Sequence, residues 1–322
     1  MEIYEPLAEY AGLPVFTHGG DPDGETPPPP DGETPAAGEV AWRVATSYDG
    51  PEFAERFAAF VEEVDTAAVT ALVIGFWDME PLPVRVLTDA AAAFPNLRAL
   101  FVGDIDIEEE AHLSWIQHTD ITPVLRAFPG LERFEVRGAD GLTLSPFRSD
   151  ALKVLRFESA GLPADVVRAV AASDLPNLER LDLWLGIEYR GGDATADDLA
   201  PFLDGGRLPS LRHFGLLNTP NLDDLAGAVA SAPVVARLES LTLAWGALTD
   251  RGAEALLAGQ PLTHLRGLGL DGHYLSPETT GRLKAALPGV ALALEAARDH
   301  MGGEFPWGDD DGDRDYYIAV SE

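Results

Sequence analysis

The chain contains no cysteine, which removes disulfides, thiolate nucleophiles and cysteine-ligated zinc together. Positive charge is scarce. Over 322 residues, 22 Lys and Arg stand against 54 Asp and Glu, a formal net charge of -32. A field of that sign repels phosphate backbones and anionic lipid surfaces, so nucleic-acid and membrane-surface binding are not expected. No run of about 18 apolar residues occurs, so no membrane span is expected. The acidic start MEIYEPLAEYAGLPVF lacks the basic and apolar regions of a secretory signal, and cytoplasmic residence is the expectation. Catalytic signatures are also missing. The seven histidines form no i, i+4 pair, and no G-x-S-x-G elbow is present. No cofactor and no metal are expected.

What remains is an ordinary soluble composition, 46% hydrophobic and 24% charged, long enough for a sizeable core. Residues 1–38 hold eight acids and no Lys or Arg, and residues 17–38 repeat DGET around Pro27–Pro30. Proline removes donors and glycine raises the ordering cost, so this stretch reads as an N-terminal segment and solvated linker. The prolines could serve an aromatic groove, but no flanking basic anchor is present. Residues 299–322 hold eight acids and one Arg. Asp311, Asp313, Asp315 and Glu322 fall at positions 1, 3, 5 and 12 of a calcium-loop pattern, with Ile318 at position 8. Tyr316 stands where the loop needs glycine, so an acidic solvated tail is the better reading.

Between these ends, residues 39–298 repeat. A unit with apolar residues at positions 1, 4 and 6 starts at Val69, Leu97, Leu131, Leu152, Leu178, Leu211, Leu238 and Leu265, in steps of 21 to 34 residues. VALAL from Val290 and VAWRV from Val40 are weaker candidates at either end. Alternation at positions 3 to 7 is the period of a short strand with one buried face. Helical patterns fill the gaps: Ser276 and Pro277 supply an N-cap and first turn, and Gly259 can stop the helix before it. Each strand-plus-helix unit has apolar faces that it cannot bury alone. Stacking like units side by side makes a parallel sheet backed by a row of helices, with one continuous core. Gly267, Gly269 and Gly272 spell a dinucleotide fingerprint, but they overlay the strand of the eighth unit instead of opening a helix.

The repeated L-x-x-L-x-L resembles the leucine-rich repeat pattern, and steps near 27 with helix returns resemble its ribonuclease-inhibitor-like class. The resemblance covers roughly residues 65–295 and is nearest to little-characterised bacterial cytoplasmic repeat proteins. It implies an α/β horseshoe with a concave parallel sheet and convex helices. The family's usual Asn or Cys at position 9 is replaced by Trp77, Ile105, Ala139, Ala160, Gly186, Thr219, Gly246 and His273. Some bacterial members are ubiquitin ligases, but these need a catalytic cysteine, which this chain lacks. The expectation is therefore a non-enzyme.

Positions 3, 5 and 7 should face away from the helices, because strand side chains alternate. In the third to fifth units they are Arg133, Glu135, Arg137; Val154, Arg156, Glu158; and Arg180, Asp182, Trp184. Neighbouring units would align Glu135, Arg156 and Asp182 in one row and Arg137 with Glu158 in the next. One reading makes these cross-strand ion pairs. The other makes them a partner-binding patch, flanked by exposed Phe101, Trp184 and Trp245 with His213 and Leu217 between, since Trp and Arg are enriched at interface hot spots. The expected function is a non-catalytic protein- or peptide-binding scaffold, with an accessory subunit presenting a peptide to a partner enzyme as the alternative. Replacing Arg156 and Trp184 together should then weaken capture and leave thermal stability nearly unchanged.

Overall fold

The structure is a computed structural model that describes residues 6–20, 35–107, 110–298 and 318–320. Twelve strands form one sheet in strict chain order. They are β1 (Glu9–Tyr10), β2 (Leu13–Thr17), β3 (Ala41–Val44), β4 (Ala71–Ile74), β5 (Ala99–Val102) and β6 (Arg133–Arg137). Then follow β7 (Val154–Glu158), β8 (Arg180–Trp184), β9 (His213–Leu217), β10 (Ser240–Ala244), β11 (Gly267–Gly269) and β12 (Ala291–Ala293). Among these twelve strands only β1 and β2 pair antiparallel; from β2 onward each strand pairs in parallel with the next. Strands in chain order, each returning through an intervening segment, are the mark of an α/β solenoid.

The register follows the repeat. From β6 to β10 each strand spans positions 3 to 7 of its unit, and like positions sit side by side: Phe134 against Leu155, Leu155 against Leu181, Leu181 against Phe214. Positions 4 and 6 point to one face and stack into a single core from Val40 to Val290. A one-residue slip would turn all of them out to the other face, so the apolar beat fixes the pairing.

The return segments include α1 (Phe53–Glu63), α2 (Val84–Asp89), α3 (Thr122–Ala127), α4 (Ala164–Ala172), α5 (Ala196–Leu203), α6 (Leu222–Ala230), α7 (Asp250–Ala258) and α8 (Pro277–Ala286). Local chemistry sets their ends. Ser276 caps α8, its hydroxyl accepting the Thr279 N–H at 3.2 Å, with Pro277 in the first turn. Thr195 and Asp198 make a reciprocal capping box on α5. Gly259 follows α7, and a Cβ there would run into the Ala230 carbonyl. The position is thus glycine for space, its backbone being extended. Among the described residues no helix is long and apolar enough to cross a membrane.

The sheet begins before the repeats. β2 adds to β3 in parallel, and Leu7, Tyr10, Leu13 and Val15 pack with Ala41, Ala71, Val73, Ala99 and Phe101 in a second apolar cluster. Those partners stand at positions 3 and 5, the face turned away from the helices. Ala41, Ala71 and Ala99 leave room there that Leu7 and Tyr10 fill. At the other end Ile318 and Val320 are buried, so these residues of the expected solvated tail lie against the solenoid. Pro27–Pro30, Asp311, Asp313, Asp315, Tyr316 and Glu322 lie outside the described residues.

Candidate functional site

The helix-free face of the sheet divides in two. On β3 and β6 to β8 it carries long charged side chains, with the apolar patch of β4 and β5 between them. The rows foreseen from the repeat are present: Glu135 beside Arg156 beside Asp182, and Arg137 beside Glu158. Pairing runs both along and across strands. Arg137 Nε donates to Glu158 Oε2 at 2.8 Å across β6 and β7. Along single strands Arg156 pairs with Glu158, Arg133 with Glu135 at 3.4 Å, and Arg180 with Asp182 at 2.6 Å. Asp104, fully buried, extends the chain of charges: Arg43 lies 3.4 Å from one of its oxygens and Arg137 3.9 Å from the other. The same carboxylate accepts the Leu7 N–H at 3.0 Å, tying the N-terminal segment to the sheet.

Burial changes what these charges do. Glu135, Arg137, Glu158 and Asp182 are all buried, and so are Phe101 and Trp184, expected as exposed aromatics. Tyr10 meets Phe101 edge to face at 5.8 Å, while the Arg137 guanidinium lies over the same ring. Trp184 is 0% exposed with Arg156 over its indole, so it cannot be replaced without a stability cost. Trp245 alone of the three aromatics is partly exposed. Arg137, Glu158 and His213 belong to the buried network and line neither depression on this face.

Electrostatics on this face is set by pairing. Burial opposes ionisation of Glu158, but Arg156 and Arg137 outweigh it and hold the carboxyl below its usual range. For Asp182, burial pushes the same way and is overcome by the His213 hydrogen bond at 2.8 Å and by Arg180. Its pKa falls to about 2. His213 bonds on its other side to Ser240 Oγ at 2.7 Å, bridging β8 to β10. Gly215 lies between them in β9, and a Cβ there would run into Asp182 Oδ1.

From β9 onward the face turns small. Position 5 holds Gly215, Thr242, Gly269 and Ala293. Thr242, Ala244, Gly269 and Ala293 floor a trough of about 520 Å³, with Arg156, Arg180 and Asp182 at one end and Asp271 and Glu295 at the other. Trp184, Leu217 and Trp245 line its middle. A second depression of about 450 Å³ lies between the N-terminal segment and β5 to β7, lined by Tyr10, Phe101, Arg133, Glu135 and Arg156. Arg156 borders both. The structure therefore collects six of the sequence-derived candidates around the trough: Arg156, Arg180, Asp182, Trp184, Leu217 and Trp245.

Sequence reasoning missed the trough's far half. Positions 5 and 7 of the last units name Thr242, Ala244, Gly269, Asp271, Ala293 and Glu295 directly, but small side chains draw no attention when hot-spot residues are sought. Among the described residues, no group of three or more His, Asp or Glu side chains is placed to hold a metal ion.

No family model and no curated protein matches the chain. Among solved structures, the chain is similar to a Bacteroides fragilis protein whose crystal structure came from the Northeast Structural Genomics Consortium, with a TM-score of 0.77 and 27% identity. That alignment covers 88% of this chain and 78% of the other. A leucine-rich repeat protein of Leptospira interrogans aligns over 80% of this chain and 90% of its own, at 11% identity and a TM-score of 0.20, too low to carry any argument.

Proposed function

We propose that the chain is a leucine-rich repeat protein of the ribonuclease-inhibitor-like class. In this reading it acts without catalysis as a peptide-binding scaffold, and its ligand lies in the trough over β8 to β12. The observation that carries the reading is the trough's lining. Arg156 and Arg180 stand at one end, the latter paired with Asp182, and Asp271 and Glu295 at the other, with a floor of small residues flanked by Trp184, Leu217 and Trp245 between them. Strands in a sheet lie about 4.8 Å apart. The three spacings from β8 to β11 therefore span roughly 14 Å, about the length of four or five extended residues at ~3.3 Å each. A ligand of that length with an acidic group at one end and a basic group at the other would pair both charged walls.

An array of pentapeptides varying the terminal charges, applied to the full chain, tests this. Peptides acidic at one end and basic at the other should bind best, and Thr242→Trp, which fills the floor, should abolish binding. Equal binding of all peptides, or undiminished binding by T242W, would overturn the reading.

A further inference from the structure

We propose that Asn218 is the centre of a backbone-reading site for an extended aliphatic-x-aliphatic segment, and that the chain's own Ile318–Val320 fills it in cis. Asn218 is fully buried at the end of β9, with a left-handed backbone, φ 54. Asparagine tolerates that region better than most residues. Its side chain addresses one residue twice: Oδ1 accepts the Val320 N–H at 3.0 Å, and Nδ2 donates to the Val320 carbonyl at 2.8 Å. The remaining Nδ2 hydrogen goes to the Ser159 carbonyl at 3.1 Å. Both Nδ2 partners can only accept, which fixes the amide's orientation.

This is the exchange that two hydrogen-bonded residues make across antiparallel strands, performed here by a side chain. One residue earlier, the Ala319 N–H reaches the Trp245 carbonyl at 2.8 Å. Ile318 and Val320 are buried while Ala319 is half-buried, the alternation of an extended segment. The hydrogen bonds read backbone and are indifferent to sequence; the two buried aliphatic side chains supply selectivity. Removing the segment would take from the Asn218 amide the two partners that complete its hydrogen bonding inside the fold. The site therefore favours occupation by this segment or by a peptide of the same chemistry.

This inference stands apart from the trough reading, because it uses Asn218 and a main-chain carbonyl and survives if no trough ligand exists. The two sites touch at Trp245, which lines the trough and accepts from Ala319.

The probe is a fluorescein-labelled heptapeptide, Tyr-Tyr-Ile-Ala-Val-Ser-Glu, the sequence of residues 316–322. Full-length Val320→Asp, which unseats the segment in cis, should bind it at least tenfold more tightly than the wild-type chain. Adding Asn218→Gly, which keeps the left-handed backbone permissible, should return binding to the wild-type level. Equal binding by wild type and V320D, or binding by the N218G double variant as tight as V320D, would overturn the proposal. Hydrogen exchange on the wild-type chain decides independently of how the variants fold. The Ala319 and Val320 amides should exchange at least tenfold more slowly than in the free heptapeptide, and equal rates would refute occupation in cis.

Discussion

The two halves of the sheet face use the same backbone frame to opposite ends. From β3 to β5, positions 3 and 5 hold Ala41, Arg43, Ala71, Val73, Ala99 and Phe101, and on β6 and β7 positions 3, 5 and 7 hold Arg133, Glu135, Arg137, Val154, Arg156 and Glu158. Much of that surface is covered by the N-terminal segment and closed by paired charges. From β9 to β12 position 5 holds Gly215, Thr242, Gly269 and Ala293, and the floor stays open. Register and strand spacing do not differ between them; what lies over the face does. Large side chains in adjacent rows of β6 to β8 meet and satisfy one another, and the room left by Ala41, Ala71 and Ala99 is filled by Leu7 and Tyr10, whereas the gap over the small residues of β10 to β12 is the trough. The half richest in hot-spot residue types is therefore the half already consumed by the fold.

Removing a charge from the closed half should give the largest effect. Glu158→Gln leaves Arg137 and Arg156 facing a neutral amide in a buried setting, and breaking such a pair costs about 3–5 kcal/mol. Thr242→Val in the open half should stay within about 0.5 kcal/mol, as surface substitutions do. Urea denaturation of both variants makes the comparison. Similar losses for the two would erase the distinction between a load of buried pairs and an open floor.

Acid should act on the closed half next. His118 is buried beside Trp77 and hydrogen-bonds the Arg137 carbonyl at 2.8 Å. Burial outweighs that bond and lowers its pKa from 6.5 to about 4. The folded value lies below the unfolded one, so the unfolded chain takes up the proton first. Stability is full above pH 6.5, declines as pH falls, and the contribution is gone near pH 4, a change of about 3 kcal/mol. His118→Gln keeps a donor for the Arg137 carbonyl and does not titrate. Its stability should stay flatter than wild type between pH 7 and 4.5, and an unchanged slope would assign the acid sensitivity elsewhere.

These features were legible in the sequence to very different degrees. The apolar beat located β3 to β12 and their register, because burying positions 4 and 6 together admits only one pairing. It also placed Arg156 between Glu135 and Asp182. Exposure could not be read that way. Whether position 5 of a strand meets water depends on what lies above it, and the cover over Phe101 comes from Tyr10, about ninety residues earlier and outside the repeat. Asp104 carried no local signal for the same reason: its partners Arg43, Arg137 and the Leu7 amide are brought in by tertiary packing. Asn218 stands one place before the family's usual Asn, so the pattern pointed beside it.

The boundary between the halves offers a smaller, sharper test. Gly215 is the first of the small residues, and it leaves the space in which Asp182 reaches His213. Gly215→Ala pushes a methyl into Asp182 Oδ1 and should cost about 1–3 kcal/mol, the range for overpacking a filled site. The pH profile separates displacement of the carboxylate from simple crowding. With a folded pKa near 2 against 3.8 unfolded, Asp182 contributes stability that is complete above pH 4 and lost as pH falls towards 2. In G215A that acid-range slope should shrink. A slope as steep as wild type would mean that the pair survives and the cost is steric alone.

At the far wall of the trough, Glu295 is exposed, and among the described residues its carboxylate makes no ion pair. Glu295→Lys should change unfolding free energy by less than about 0.5 kcal/mol while reversing one charged wall. If the trough reads terminal charge, peptides with a basic group at that end should lose affinity and peptides with an acidic group there should gain it. Loss of both classes would instead indicate that the lysine stem blocks the floor, which Glu295→Gln, shorter and neutral, distinguishes by lowering only the preference for basic ends. The mutation that matters least to folding thus discriminates best between an open floor awaiting a ligand and a gap with no chemical preference.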